Sequence, residues 1–489
     1  MRSLSRKHCG TLVRWGLIAW GCGTGALCFA GTADATADVP AAGTLWRVDA
    51  GLAPNAPASA AMASGTQTLA SLSDLALRTH PSTRAAWSSA LADLADVDAA
   101  RALLRPAISA VAPLALNHGS GAAAGAAAAS GGAGRTFSPS AGLAWVLFDF
   151  GARAAGVEAA RWRAAASQLG YDRELQTVVS GVEQAYYSLL GARRLEAALR
   201  IGVDAAHASL DVAQARRSAG LATIAETAQA EAALGQARLQ LVQAGASARI
   251  ANGNLANAVG VPVTTPMLIA DDFTFEAPPP APRIDDLLEA AHVSRADLLA
   301  LDAQVRQGEA EVAAAQAQGL PSLALSAQVG RQWSGRGLAG ATQQVALTLT
   351  IPLFDGGLAS AQARAARARV DALTAQREQQ RQAIDLQVWQ SFQLASSGEA
   401  TIASAESLLR SAQVAEDAAR ERYRSGVGLL LELLTAQSTA AQARVSLVQA
   451  RYQAQLAMVQ LGYAVGASIG PAAPAPRSSL VPRTASPAG

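Results

Sequence analysis

Gln344-Val345-Ala346-Leu347-Thr348-Leu349-Thr350-Ile351-Pro352-Leu353-Phe354-Asp355-Gly356-Gly357 carries the end of one structural period and the start of another. Val345, Leu347, Leu349 and Ile351 alternate with Gln344, Ala346, Thr348 and Thr350, so a strand here has one apolar and one small or polar face. Before Ser334-Gly335-Arg336-Gly337, Leu323, Leu325, Ala327 and Val329 alternate in the same way with Ser322, Ala324, Ser326 and Gln328. The two segments therefore read as a hairpin. Strands of about 9–12 residues with one apolar face suit the wall of a membrane β-barrel. A soluble half-buried sheet has the same alternation, but the export signal and the long helices of this chain favour the membrane.

The segment recurs. Leu147-Phe148-Asp149 matches Leu353-Phe354-Asp355, 206 residues on, and the same offset relates Gly220 to Gly426 and Leu241-Val242-Gln243-Ala244 to Leu447-Val448-Gln449-Ala450. Arg105-Pro106 corresponds to Leu320-Pro321 at an offset of 215, and the difference of 9 falls where the first copy carries the insert Gly119 to Gly134. A weaker first hairpin spans Ile108 to Asn117 and Phe137 to Phe148, with Pro113 and Pro139 tolerable toward strand ends. The expected organisation is a signal peptide over 1–30, an N-terminal segment 31–68, a first repeat 69–261, a Pro-rich linker 262–283, a second repeat 284–467 and a tail 468–489 whose composition reads as disordered.

Each Leu-Phe-Asp opens a long helix. Ala152 to Ser218 contains no proline and has Leu175, Val178, Val182 and Leu189 at a/d-like spacing. Such a helix is about 100 Å long at 1.5 Å per residue. Gly220 allows a reversal, and a return helix is expected from Ile224 to Val259. The second copy predicts a helix from Leu358 to Tyr423, a turn at Ser425 to Gly428, and a return to about Gly462 with Val445, Val448, Tyr452 and Val459 in its seam. Narrow apolar stripes on helices this long require lateral partners.

Composition excludes much else. The 489 residues are 51% hydrophobic but only 4% aromatic, so alanine supplies much of the apolar fraction. Lys+Arg 39 against Asp+Glu 37 leaves a charge of +2 with no sustained basic run, which disfavours nucleic acid as a partner. Arg2, Arg6, Lys7 and Arg14 precede the apolar Trp15 to Ala30, as in an export signal. Cleavage fits after Ala30 or as late as Ala35, and either site removes Cys9, Cys22 and Cys28. Neither Cys22 nor Cys28 follows the Leu-small-small pattern of a lipoprotein signal. No later stretch reaches the ~18–20 apolar residues of a membrane helix. His80, His118, His207 and His292 have no Cys or carboxylate neighbour at metal-ligand spacing, and HExxH and GxxxxGK[ST] are absent from the sequence. No catalytic, cofactor or metal residue is expected, and Asp149 and Asp355 read as helix caps. The chain reads as a non-enzyme.

The fold class expected is mainly α with transmembrane β. Two hairpins supply four strands, whereas closed barrels need about eight, and an open edge does not persist in lipid. The barrel must be shared in an obligate homo-oligomer, each protomer continuing the wall into a helical tube.

The tandem duplication, Leu147-Phe148-Asp149-Phe150-Gly151 and Leu353-Phe354-Asp355-Gly356-Gly357, and the turns at Gly220 and Gly426 make the chain resemble the TolC family of outer-membrane export ducts. The resemblance covers about Leu69 to Gly466. It implies a homotrimer with a twelve-stranded barrel in outer-membrane lipid, a periplasmic helical barrel, and partners in a periplasmic adaptor and an inner-membrane ABC transporter or other pump. It also implies a periplasmic gate at the tips, with candidates Gly220, Glu226, Tyr423, Gly426 and Glu432. Glu432 stands at the position of an acidic ring; a second acid of that ring is Thr435 here. Tyr423 matches a latch tyrosine, but Gly428 stands where its arginine partner would be. Glu226 and Glu432 also fit helix-start charges favoured by the macrodipole.

The missing lipobox makes the chain similar to type I secretion ducts for proteins such as RTX toxins of the cyclolysin type. A multidrug or small-molecule efflux duct is the alternative. A coiled-coil scaffold would not explain two hairpins at equivalent places, and a periplasmic adaptor would carry one helical hairpin rather than two tandem copies.

Overall fold

The computed structural model describes residues 66–117, 134–270, 283–334 and 339–466. The signal peptide with its cysteines, most of the N-terminal segment, His118 and most of the insert, most of the linker, the hairpin turn and the tail lie outside the described residues.

The first copy runs α1 (Leu69–Thr79), α2 (Pro81–Ala102), β1 (Ala107–Val111), β2 (Leu114–Asn117), β3 (Gly134–Phe137), β4 (Ser140–Phe148), α3 (Ala152–Ser218) and α4 (Ile224–Val259). The second runs α5 (Ile284–Ser294), α6 (Ala296–Ala317), β5 (Ser322–Ser334), β6 (Ala339–Thr350), α7 (Leu358–Arg424) and α8 (Leu430–Val465). Matching helices have equal lengths of 11, 22, 67 and 36 residues.

Local chemistry sets these limits. The Thr68 and Ser71 side chains each accept from the other's backbone N–H to start α1, and Pro81 opens α2 where no intrahelical donor is needed. Asp149 and Asp355 each accept from two backbone N–H groups at the start of the long helices, those of Gly151 and Arg153 in the first copy and of Gly357 and Ala359 in the second. Both aspartates are held below the usual carboxylate range. Burial alone would raise Asp149, but hydrogen bonds and charge from Arg153 outweigh it, whereas the backbone N–H groups of Ala359 and Gly357 lower Asp355.

The first hairpin is broken. Pro113 and Pro139 donate no ladder hydrogen bond, so β1 and β2 form one interrupted stave and β3 and β4 the next, bridged by Ser138 N–H to the Pro113 carbonyl at 3.0 Å. Strand β5 runs unbroken beside β4 and β3, and β6 follows. The sheet therefore has four antiparallel staves.

Five buried clusters hold the described helices, and three of them are large. Leu72 and Ala76 pack with Val178, Val182, Tyr186, Leu189, Leu255, Val259 and Met267. Ala291 and Leu298 pack with Ile384, Val388, Leu461 and Ala464. Ala213, Leu210, Ala230 and Leu234 join Tyr423, Leu430 and Leu433 near the turns. In α3 the expected seam is buried at Val178, Val182 and Leu189. In α8 Val459 of the expected seam is buried, while Val445, Val448 and Tyr452 are half-buried; the stripe buried against α7 is Ala440, Ala443, Ala450 and Ala454. Alanine seams let the axes approach, and a Cβ added at Gly398 would stand 3.0 Å from that of Ala454.

Carboxylates inside this packing are treated in two ways. Glu416, 2% exposed, is met by Arg420 and by Arg444 at 2.9 Å. Glu183, 6% exposed on α3, has burial as the cause that pushes its pKa up to about 7; burial also raises Tyr187, its hydrogen bond with Gln455 of α8 opposes the rise, and the Glu183 charge adds to it.

Candidate functional site

The register separates the two faces of the sheet. Leu323, Leu325 and Ala327 pair with Leu349, Leu347 and Val345, and across β4 with Phe148, Trp145 and Leu143; Ile108 of β1 pairs with Leu143. This face is apolar, and Ile108, Val345, Leu347 and Leu349 are exposed by 60 to 78%. The opposite face pairs Ser109 with Gly142, Gly142 with Gln328 and Gln328 with Gln344, flanked by Ser326, Thr342, Thr348 and Thr350. From Leu323 to Trp333, β5 rises about 33 Å at 3.3 Å per residue, or about 25 Å along the membrane normal at a tilt near 40°. That is the height of a lipid-facing band. Trp333 stacks on Phe137 at one end, and Phe148 meets Phe150 edge-on at the other. A register shift between Val146 and Phe148 ends the regular wall.

Below the sheet, the first copy is clamped. Trp145 Nε1 donates to the Leu104 carbonyl at 3.0 Å, and Arg153 bridges Asp149 at 2.6 Å and the Leu103 carbonyl at 2.8 Å. In the second copy Ala359 replaces the arginine, and Leu353 and Phe354 are more than 90% exposed.

The far ends of the long helices reverse at Gly220 (φ 74) and Gly426 (φ 80), a left-handed backbone that glycine adopts without strain. Each stands directly after the end of its long helix, where the sequence places the tips. Glu226 closes a capping box with Thr223, accepting from its N–H and hydroxyl. Glu432 has no such cap, because Leu429 occupies the N-cap of α8; its Oε2 lies 3.5 Å from Arg422 Nη1. Tyr423 is 1% exposed in the cluster that joins both copies. Arg216 of the first copy donates to its carbonyl at 2.7 Å and lies 4.7 Å over its ring. The arginine over Tyr423 thus comes from another helix, which no spacing within the second copy could reveal. Burial raises the Tyr423 phenol, Glu226 adds to the rise, and Arg216 opposes it. Its hydroxyl and Arg216 Nε are buried without a partner among the described residues.

Two histidines meet single carboxylates: His207 lies 3.0 Å from Asp211 and His292 2.6 Å from Asp385. The sequence reading missed both, although Asp211 stands four residues after His207 and is visible in the spacing; Asp385 is on α7 and is not. Among the described residues no three His, Cys, Asp or Glu side chains form a metal-holding group, and no helix is long and apolar enough to cross a membrane.

Comparisons with known proteins agree on one architecture. The chain matches the profile described as outer membrane efflux protein over residues 72–261 and 287–467. It is 33% identical to protein CyaE of Bordetella pertussis over 396 residues, 76% of this chain and 78% of that protein. It is 29% identical to the pyoverdine export outer membrane protein OpmQ of Pseudomonas aeruginosa, over 60% of this chain and 63% of that one. The crystal structure of the outer membrane protein VceC of Vibrio cholerae superposes with a TM-score of 0.71, covering 82% of this chain and 97% of VceC at 21% identity.

Proposed function

The chain belongs to the outer membrane efflux protein family, and from that premise we propose that three copies form a duct for type I secretion of a large protein such as an RTX toxin. The protomer is an outer-membrane channel subunit whose helices extend into the periplasm. The observation that carries the trimer is the sheet's two lateral edges: among the described residues β1 pairs only with β4, and β6 only with β5. Closure requires other copies, and eight staves would leave an interior just wide enough for side chains to fill. Twelve is the next closed ring and leaves a lumen. The helices support the same ring, because α4 exposes Leu239, Val242 and Ile250 at one flank and α7 exposes Trp389, Leu408 and Val414 at the other. Two different faces meeting head to tail give a ring when the rotation closes, and a barrel without open edges in lipid requires that it does.

Transport through such a duct is passive. The polar face of Ser, Thr, Gln and Ala offers an unfolded polypeptide little to adhere to, and the work is supplied by an inner-membrane ABC transporter through a periplasmic adaptor. The tips at Gly220 and Gly426 are the periplasmic entrance, where Tyr423 with Arg216 ties the two copies together and Glu432 contributes a carboxylate to a ring of three. The absence of a lipobox at Cys22 and Cys28 and the likeness to CyaE support protein secretion. A second reading, efflux of small molecules, draws on the likeness to the pyoverdine-export protein.

Deletion of the coding region in the source bacterium separates them. The expected result is loss of a large protein from the medium with unchanged drug tolerance. Unchanged secretion with drug sensitivity would replace the protein cargo by small molecules, and soluble recovery of the protein from the periplasm would end the duct reading itself.

A further inference from the structure

The two tips carry the same pair of charges, 206 residues apart: Arg216 and Glu226 in the first copy, Arg422 and Glu432 in the second. Their partners differ. Arg216 is spent on Tyr423 and Glu226 on the cap of α4. Leu429 has no side-chain oxygen to cap α8, so Glu432 is left for Arg422, at 3.5 Å. The turn holds this arrangement. The N–H groups of Val427 and Gly428 both donate to the Arg422 carbonyl, at 3.0 and 2.9 Å, and a Cβ at Gly428 would come within 2.9 Å of the Arg422 Cβ. Glycine at 428 therefore lets the turn fold onto Arg422 and keeps its backbone beside the first turn of α8.

Resting on the gate reading above, we propose that Arg422 is a specificity-determining residue of the entrance, masking the Glu432 carboxylate and thereby setting how strongly the entrance attracts cations. Both side chains are about half exposed, 59% and 45%, so the ion pair is weak and exchangeable. Its effect is on the potential rather than on the fold. Three guanidinium groups cancel three carboxylates around a narrow axis, and removing them leaves the carboxylates to sum.

The test is single-channel block of the assembled protein in planar bilayers by hexamminecobalt(III), a trivalent probe. Arg422→Gln is expected to lower the half-blocking concentration about tenfold, and Glu432→Gln to raise it. The double variant should fall between the two single variants, near the wild type, because three guanidinium and three carboxylate charges are then removed together and their potentials add. If Glu432→Gln weakens block while Arg422→Gln changes nothing, Arg422 loses its role and the gate reading stands. If Glu432→Gln leaves block unchanged, the gate reading falls and this proposal with it. Should Arg422→Gln not assemble, the exchanged pair R422E/E432R carries the test: block near that of the wild type supports masking, and block as strong as that of a bare carboxylate ring overturns it.

Discussion

Replacing Glu183 by Gln should stabilise the helical region at pH 8 and change it little at acid pH. Glu183 lies on α3, 6% exposed, beside Tyr187, which hydrogen-bonds Gln455 of α8, and no cation is paired to Glu183 among the described residues. Burial raises its pKa from 4.5 to about 7. The folded chain thus holds this proton more tightly than the unfolded chain, so stability is greatest below pH 4.5 and is lost as pH rises to about 7. At about 1.4 kcal/mol for each tenfold change in proton affinity, the charged form costs about 1 kcal/mol at pH 5 and about 3 kcal/mol at pH 8. Glutamine keeps the size and removes the ionisation. Urea unfolding in detergent, followed by circular dichroism at both pH values, should show a gain about 2 kcal/mol larger at pH 8 than at pH 5. An equal effect of E183Q at the two pH values would refute the assignment of a buried, proton-bearing Glu183.

Two further substitutions probe the wall and the helical seam. Leu347→Arg on the apolar face should cost about 2–4 kcal/mol and reduce the heat-modifiable, membrane-assembled form. Thr348→Arg, one residue on and on the opposite face, should assemble and alter conductance instead; equal assembly defects would contradict the assignment of faces. Gly398→Leu should lower helix stability by about 1–3 kcal/mol, because its Cβ would already press on Ala454. Ala454→Gly in the same chain should recover part of the loss in a thermal melt.

The residues differ in how openly they announce these features. Leu-Phe-Asp, the alternation around Leu347 and Leu349, and the turn glycines are local signals, so strands and long helices were legible from them. The boundaries of α3 and α4 coincide with the expected Ala152–Ser218 and Ile224–Val259, and α7 and α8 extend slightly past the expected ends. The α8 seam is legible only at Val459, because counting large apolar residues overlooks alanine, whose value is close approach rather than area. The break in the first hairpin needed the position of each proline in the ladder. At the tips, Glu432 and Tyr423 could be singled out, but Arg216 over Tyr423 depends on packing between the copies and Arg422 beside Glu432 on how the turn folds. Neither periodicity nor spacing encodes those encounters.

The equality of helix lengths between the copies has a consequence for how such a chain can change over generations. Deleting one residue from α3 alone would shorten that column by 1.5 Å and rotate everything beyond the cut by 100° about its axis. Its tip would then miss the height of its twin, and its seam would face the wrong neighbour. Length variation in the columns is viable only as matched changes of whole heptads in both hairpins, which single mutational events rarely deliver. Drift is free elsewhere, and the 9-residue difference between the copies falls between the proline and Leu-Phe-Asp, in the span that carries the Gly119 to Gly134 insert. The columns behave as a gauge block inherited in duplicate, while the loops record the lineage.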